Sequence, residues 1–300
     1  MNRINDNDTH KIFEDAICQM HDVRPSTIAA HHEAVERVIQ MMHDRLDGPL
    51  TLQEMSRIAY ISPYHFNRIF RQITGIPPNQ FLYAVRLEMA KRLLLTTDTS
   101  VTDVCFDVGY NSLGTFIRRF TGLVGLSPSR FRSLARHATD SLSLPTSSRL
   151  DPPAASTPGG ISGRVTAPVW FAGKIFLGLF TTPIPQGAPI SGTVVEQPGP
   201  YHVPPVPDGV YYIFAAGLAQ SEDLREYFLY ETTLRGGGQP ILIRDGTVEG
   251  STNLALRPPE AFDPPILMAL PLLLGQMELS AGQRVEADAP LTSHAPAVLV

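Results

Sequence analysis

The sequence predicts a multidomain chain: an all-α N-terminal domain built from two copies of one helical unit, joined by a Pro/Ser-rich linker to an all-β, sandwich-like C-terminal domain. Three observations predict it. The segment SPYHFNRIFRQITGIPPNQF, residues 62 to 81, returns fifty residues later as SLGTFIRRFTGLVGLSPSRF, residues 112 to 131. Helical periodicity stops near residue 138, and composition turns with it: six prolines and six glycines stand before that point, twenty-one and seventeen after it. Charge divides at the same place. Residues 31 to 137 hold thirteen Lys/Arg against nine Asp/Glu, a balance of +4, while residues 138 to 300 hold eight against fifteen, or −7, and residues 1 to 30 add −2. A basic surface on one domain and an acidic one on the other follow.

Three hundred residues suffice for two ordinary domains, and 43% hydrophobic content with near-zero mean hydropathy reads as globular. No apolar run reaches the roughly 18 residues of a membrane helix. The polar, acidic opening MNRINDNDTHKIFEDAICQM does not read as a secretory signal, so a cytoplasmic location is expected, away from membranes. Cys18 and Cys105 are too few for a disulfide framework or a zinc cluster and are expected to be reduced thiols. The expected divisions are a polar arm at 1–30, a helical domain at 31–137, a linker at 138–160, a β domain at 161–275 and a tail at 276–300.

The helical elements follow in order. Val35, Val38, Ile39, Met42 and Leu46 form one apolar stripe of an amphipathic helix over 31–46, which Asp47-Gly48-Pro49 stops. Thr51-Leu52-Gln53-Glu54 reads as a capping box opening a short helix to about residue 59. Ser62-Pro63 opens the next, with Ser as N-cap and Pro at the first helical position, so that two short helices joined at Tyr60-Ile61 make a helix-turn-helix. Gly75 closes it, and a long connector spans about 78 to 95, starting from Pro77 without a side-chain cap. The pattern then repeats: Ser100 opens a short helix, Gly109-Tyr110-Asn111 turns, Ser112 caps a second helix to about Gly122, and Ser127-Pro128 caps a last one to about His137.

At an offset of fifty, Tyr60 matches Tyr110, Phe66 matches Phe116, Arg68 matches Arg118, Phe70 matches Phe120, Gly75 matches Gly125 and Phe81 matches Phe131. Phe66, Phe70 and Ile73, like Phe116, Phe120 and Leu123, lie at i, i+4 and i+7 and are expected to build two cores. Tyr64, Asn67, Arg68 and Arg71 take the opposite face. No acidic residue occurs from Ser62 to Phe81 or from Ser112 to Phe131. A solvated helix face usually carries acids, whereas an acid-free face with Arg at matched positions suits phosphates and guanine edges.

These residues resemble a known family. The runs LTLQEMSRIAYISPYHFNRIFRQITGIPPNQFL, VRLEMAKRLLL and TSVTDVCFDVGYNSLGTFIRRFTGLVGLSPSRFR are similar, in order and spacing, to the AraC/XylS-type DNA-binding domain, over a little more than a third of the chain. The resemblance implies two helix-turn-helix subdomains whose recognition helices enter successive major grooves. It places base contacts on Tyr64, Asn67 and Arg68 in the first helix and on Leu113, Gly114, Ile117 and Arg118 in the second. Phosphate contacts fall on Ser62, Arg71, Ser112, Thr115 and Arg119. The partners implied are double-stranded DNA and, for a regulator, RNA polymerase. Gly114 has no side chain with which to read a base, so the second helix is expected to specify less.

After the linker, 175–180, 211–216, 241–243 and 253–256 read as short strands, and GPYHVPPVPDGVYYIFA loosely resembles transthyretin-like or carboxypeptidase-regulatory-like sandwiches. Trp170, Phe171, Tyr201, Tyr211, Tyr212, Tyr227, Phe228 and Tyr230 are expected in the core rather than around a ligand. The apolar stretch at 266–274 could pack on the sandwich or on a second subunit. His202 and His294 lack metal-binding spacing and no nucleophile elbow or phosphate loop occurs, so no catalysis, metal or cofactor is expected. The expected function is a sequence-specific DNA-binding transcription regulator whose C-terminal domain senses a small-molecule effector. The alternative is a ligand-independent regulator whose sandwich mediates only homodimerisation or partner binding.

Overall fold

A computed structural model describes residues 25–133, 160–187, 189–219 and 233–268. Cys18, the linker up to residue 159, Tyr227, Phe228, Tyr230, His294 and residues 269–300 lie outside the described residues.

The helical half runs α1 (Pro25–Asp44), α2 (Leu52–Ala59), α3 (Pro63–Thr74), α4 (Pro78–Thr96), α5 (Val101–Asp107), α6 (Leu113–Val124) and α7, helical from residue 128 through 133. Its punctuation is chemical. Thr51 and Glu54 form the reciprocal capping box of α2, with the Thr51 amide donating to the Glu54 carboxylate at 2.7 Å. Those bonds hold the Glu54 carboxyl below its ordinary value. Gly75 and Gly125 end α3 and α6 at φ +80° and +92°, a conformation glycine adopts without a Cβ clash.

Each subdomain has its own core. Phe66, Phe70 and Phe81 form an edge-to-face chain with centroids 5.5 Å apart at each step, and Phe116, Phe120 and Phe131 repeat it at 5.7 Å. All but Phe81 of these rings are completely buried, and Phe81 nearly so. Ile73 and Leu123, expected in the same cores, are only half-buried at the C-terminal ends of their helices, and Ile69 fills the first core instead. The connector α4 is buried on more than one side, because Phe81, Leu82 and Val85 enter the first core and Ala84, Leu87, Ala90 and Leu94 the second. It also buries Arg86, whose guanidinium donates to the Gly48 carbonyl at 2.7 Å and pins the α1–α2 loop.

The β half consists of two sheets, β4-β1-β8 and β3-β2-β5-β6-β7. Their strands are β1 (Ile161–Thr166), β2 (Gly173–Phe180), β3 (Ser191–Val195), β4 (Gly199–Val203), β5 (Gly209–Ala219), β6 (Leu234–Arg244), β7 (Thr247–Glu249) and β8 (Leu254–Ala255). All pairings are antiparallel except β1 with β8. Ile161, Val165, Tyr201 and Val203 from the small sheet close on Ile175, Leu177, Ile213 and Ile241 from the large one, the alternate residues of half-buried strands. Phe171, Tyr201 and Tyr211 lie in this core, while Trp170 is exposed and Tyr212 half-buried.

Besides the linker, side-chain contacts join the β half to the helical half. Ile184, from the β2–β3 loop, is buried in the core of the first helical subdomain, and Leu267 in that of the second. Phe262 meets the His32 ring edge-on, with centroids 5.0 Å apart. Such apolar side chains are removed from water only by docking.

Candidate nucleic-acid interface

Amphipathicity fixes the orientation of the two candidate recognition helices. With Phe66 and Phe70 anchored inward, α3 turns Tyr64, Arg68 and Arg71 to solvent, and Asn67 stands half-buried beside them. With Phe116 and Phe120 anchored inward, α6 exposes Gly114, Ile117 and Arg118, while Leu113, Thr115 and Arg119 are half-buried. The structure thus brings Tyr64, Asn67, Arg68 and Arg71 onto one face of α3, and Gly114, Ile117 and Arg118 onto the matching face of α6. The His31 imidazole approaches His65 at 5.7 Å, and its pKa is lowered by burial first and then by the charges of His65 and Arg68.

Both helix starts present amide groups to solvent, but they are finished differently. The Ser112 hydroxyl accepts from the Thr115 amide at 3.4 Å, whereas Ser62 has N-cap backbone geometry without any side-chain cap. The first amides of α3 therefore keep their donor capacity for an outside acceptor such as a phosphate.

Two residues depart from the symmetry of the repeat. Arg119 lies with its guanidinium 3.8 Å above the Tyr83 ring, so it ties α6 to the connector α4. Its partner is part of the protein itself, unlike those open to Arg118. Tyr60 and Tyr110 match in sequence and diverge in place. Tyr110 is 5% exposed and packs edge-on against Phe116 at 5.3 Å; Tyr60 is 87% exposed, at φ +58°, with the Arg37 guanidinium 5.5 Å from its ring. Sequence reasoning missed the surface formed by Tyr60 and Arg37, because the match of Tyr60 with Tyr110 suggests like surroundings and the positive φ of Tyr60 shows only in the backbone.

Outside the helices, the His202 Nδ1 atom meets the Ser162 hydroxyl at 3.0 Å. Among the described residues no group of three or more His, Cys, Asp or Glu is placed to hold a metal ion. Nor is any described helix long and apolar enough to cross a membrane.

Residues 55–133 match the family described as helix-turn-helix domain. The chain is 31% identical over 104 residues to the bifunctional transcriptional activator/DNA repair enzyme AdaA of Bacillus subtilis, covering 35% of this chain and 49% of that protein. It is 35% identical over 95 residues to the MmsAB operon regulatory protein of Pseudomonas aeruginosa, covering 32% and 31%. The chain therefore spans half or less of the length of these relatives. Among solved structures, the DNA-binding domain of AdpA in complex with a target DNA is 31% identical, covering 34% of this chain and 92% of that one, with a TM-score of 0.33.

Proposed function

We propose that this chain, which carries an AraC-type helix-turn-helix DNA-binding domain, is a sequence-specific transcription regulator that reads two successive major grooves and whose β half senses a small molecule. The observation that carries the first part is the pair of exposed, acid-free faces on α3 and α6, held by one connector. Nineteen residues of α4 at about 1.5 Å each give about 28 Å, of the order of the ~34 Å that separates successive major grooves on one side of a duplex.

In this reading Tyr64, Asn67 and Arg68 contact base edges from α3, and Leu113, Gly114, Ile117 and Arg118 do so from α6. Ser62, Arg71, Ser112 and Thr115 face phosphates. Arg119, assigned a phosphate by the same resemblance, serves first to hold α6 on Tyr83. Contact with RNA polymerase and self-association through the β half are consistent with a regulator and are not needed for two-groove reading. AdaA joins activation to repair chemistry, as its name states; this reading assigns no catalysis to the present chain.

Footprinting the full chain on duplexes selected from a random pool tests the reading. Two protected major grooves one helical turn apart are expected, with protection of one lost in Arg68→Ala and of the other in Arg118→Ala. A single protected patch, or footprints unchanged in both variants, overturns it.

A further inference from the structure

The large sheet has a second apolar face. Ile175, Leu177 and Leu179 of β2 enter the sandwich core, so Phe176 and Phe180 fall on the other side, where Val194, Phe214, Ala216 and Leu218 join them. Such a face in an antiparallel sheet ordinarily meets water. Here Ile266 and Met268 pack on it, while Leu267 between them enters the core of the second helical subdomain. Sheet and segment together line a cavity of about 320 Å³, within the range of small-molecule sites.

Strand register explains the space. Phe176 stands opposite Val194 on one side and Ala216 on the other, and in the next row Gly178 and Gly237 flank Phe214. The Phe214 ring thus rises between two positions that carry no side chain, with the Phe180 ring edge-on to it at 5.8 Å. A Cβ at Gly178 would come within 2.9 Å of the Phe180 ring and 3.2 Å of Pro189, both in the cavity lining. Glycine keeps that space open. An apolar occupant would give the three rings of Phe176, Phe180 and Phe214 the dispersion contacts that a gap withholds, and aromatic rings favour edge-to-face or offset partners.

The charges in the lining are matched within the protein. Arg257 takes both Asp263 oxygens, at 2.7 and 2.8 Å, and its Nε lies 3.5 Å from the Glu260 carboxylate. The Glu260 amide donates to Asp263 in turn, at 2.7 Å. Arg235 donates to the Pro264 carbonyl at 2.7 Å, and the carboxylates of Asp263 and Glu88 both act on its charge. An ionised ligand would leave water for a wall whose cations and anions already answer one another, and that desolvation is costly without a partner. An uncharged ligand avoids the cost. An apolar cavity of about 150 Å³ takes up benzene, so this one has room for about two rings.

We infer that this cavity binds an uncharged aromatic compound of about two rings, packed against Phe176, Phe180 and Phe214. The inference gives the proposed sensing by the β half its site and ligand class, and it rests on that reading only for its regulatory meaning.

The test uses the full chain and two uncharged compounds, 2-naphthol and benzophenone, beside their carboxylate counterparts 2-naphthoate and 4-benzoylbenzoate. Calorimetric titration at neutral pH should show at least one uncharged compound binding about tenfold or more tightly than its counterpart. Ala216→Leu, from the middle of the sheet, and Val194→Phe, from strand β3, each place bulk in the cavity and should weaken that binding by about tenfold or more in chains that keep their melting temperature. In the wild-type chain with labelled methionine methyl groups, the Met268 signal, assigned by its loss in Met268→Leu, should shift with the midpoint of the titration. That measurement reads the site even where a filling variant does not fold. No binding by either uncharged compound, equal or tighter binding of the carboxylates, affinity unchanged in both folded variants, or a Met268 signal that stays in place overturns the site. Duplex affinity on a selected site, measured with and without the bound compound, separates the two claims. Binding that leaves it unchanged would sink sensing by the β half and leave the cavity as a binding site.

Discussion

Arg68 and Arg71 stand one turn apart on the exposed side of α3, and their difference is what each can reach. Arg68 projects from the middle of the face, where, in the proposed reading, a bidentate guanidinium would meet a guanine edge; Arg71, near the C-terminal end, would meet the backbone. Arg68→Ala should weaken the selected site by about 1 to 3 kcal/mol and relax sequence preference. Arg71→Ala should weaken selected and random duplexes alike and flatten the dependence of binding on salt. Equal losses on both kinds of DNA for both variants would remove Arg68 from the readers; filter-binding titrations at several salt concentrations decide it. Lys91 poses the opposite problem, a cation with almost no exposure. Burial pushes its ammonium down to about 7, with Glu88 opposing the shift and Arg235 adding to it. Between pH 7 and the ordinary lysine value of about 10.4 the folded chain binds fewer protons than the unfolded one, so this residue makes stability rise with pH across that span. Melting temperature should therefore climb from pH 7 to pH 9, and climb less in Lys91→Met, which keeps the bulk of the stem and loses the charge. Parallel profiles for the two proteins would show that Lys91 titrates alike in the folded and unfolded chain.

The elements show what a repeat preserves and what it releases. Both helix-turn-helix units keep their phenylalanine triads and their glycine C-caps, because each fixes a packing distance or a backbone conformation that the other residues depend on. The N-cap of the first helix is kept, by Thr51 and Ser100, but that of the second is not. Ser112→Ala should cost about 1 kcal/mol of stability, since it strips α6 of its cap, whereas Ser62→Ala should cost a few tenths at most because that hydroxyl caps nothing. Denaturant melts of the two variants measure it, and equal losses would mean that the capping asymmetry does not exist in solution. The helical elements were legible because their signals are local: Thr51 with Glu54, Ser-Pro starts, and apolar residues at helical spacing. The β half was legible only in part. Strands β2, β5, β6 and β8 showed as apolar or aromatic runs, but β1, β3 and β7 carry Ser, Gly and Thr and owe their place to pairing across the sheet. In IFLGLF every position is apolar or glycine, so the run marks a strand without saying which face meets which core, and the structure buries residues of both faces.

At the scale of the whole molecule the domains are joined by more than their linker. Ile184 and Leu267 are almost completely buried, each in a core otherwise built by helices, so each helical subdomain is completed by a side chain from the β half. Replacing a buried Leu by Ala ordinarily costs about 2 to 5 kcal/mol, and here part of that loss falls on the docking. Two consequences separate docking from mere tethering. The wild-type chain should unfold in one calorimetric transition, because the helical half does not keep its two cores intact once the β half leaves. Ile184→Ser with Leu267→Ser should split that transition in two, with the helical half melting first, since it loses an apolar side chain from each core while the sandwich core of Ile175, Leu177, Ile213 and Ile241 is untouched. Two transitions already present in the wild type would mean that the halves fold and melt independently. A single transition in the double variant would place the coupling elsewhere, in the bond from the Lys91 ammonium to the Ile266 carbonyl and that from the Gly187 amide to the Leu123 carbonyl of α6, and the same scan repeated with Lys91→Met added would show whether those polar links suffice.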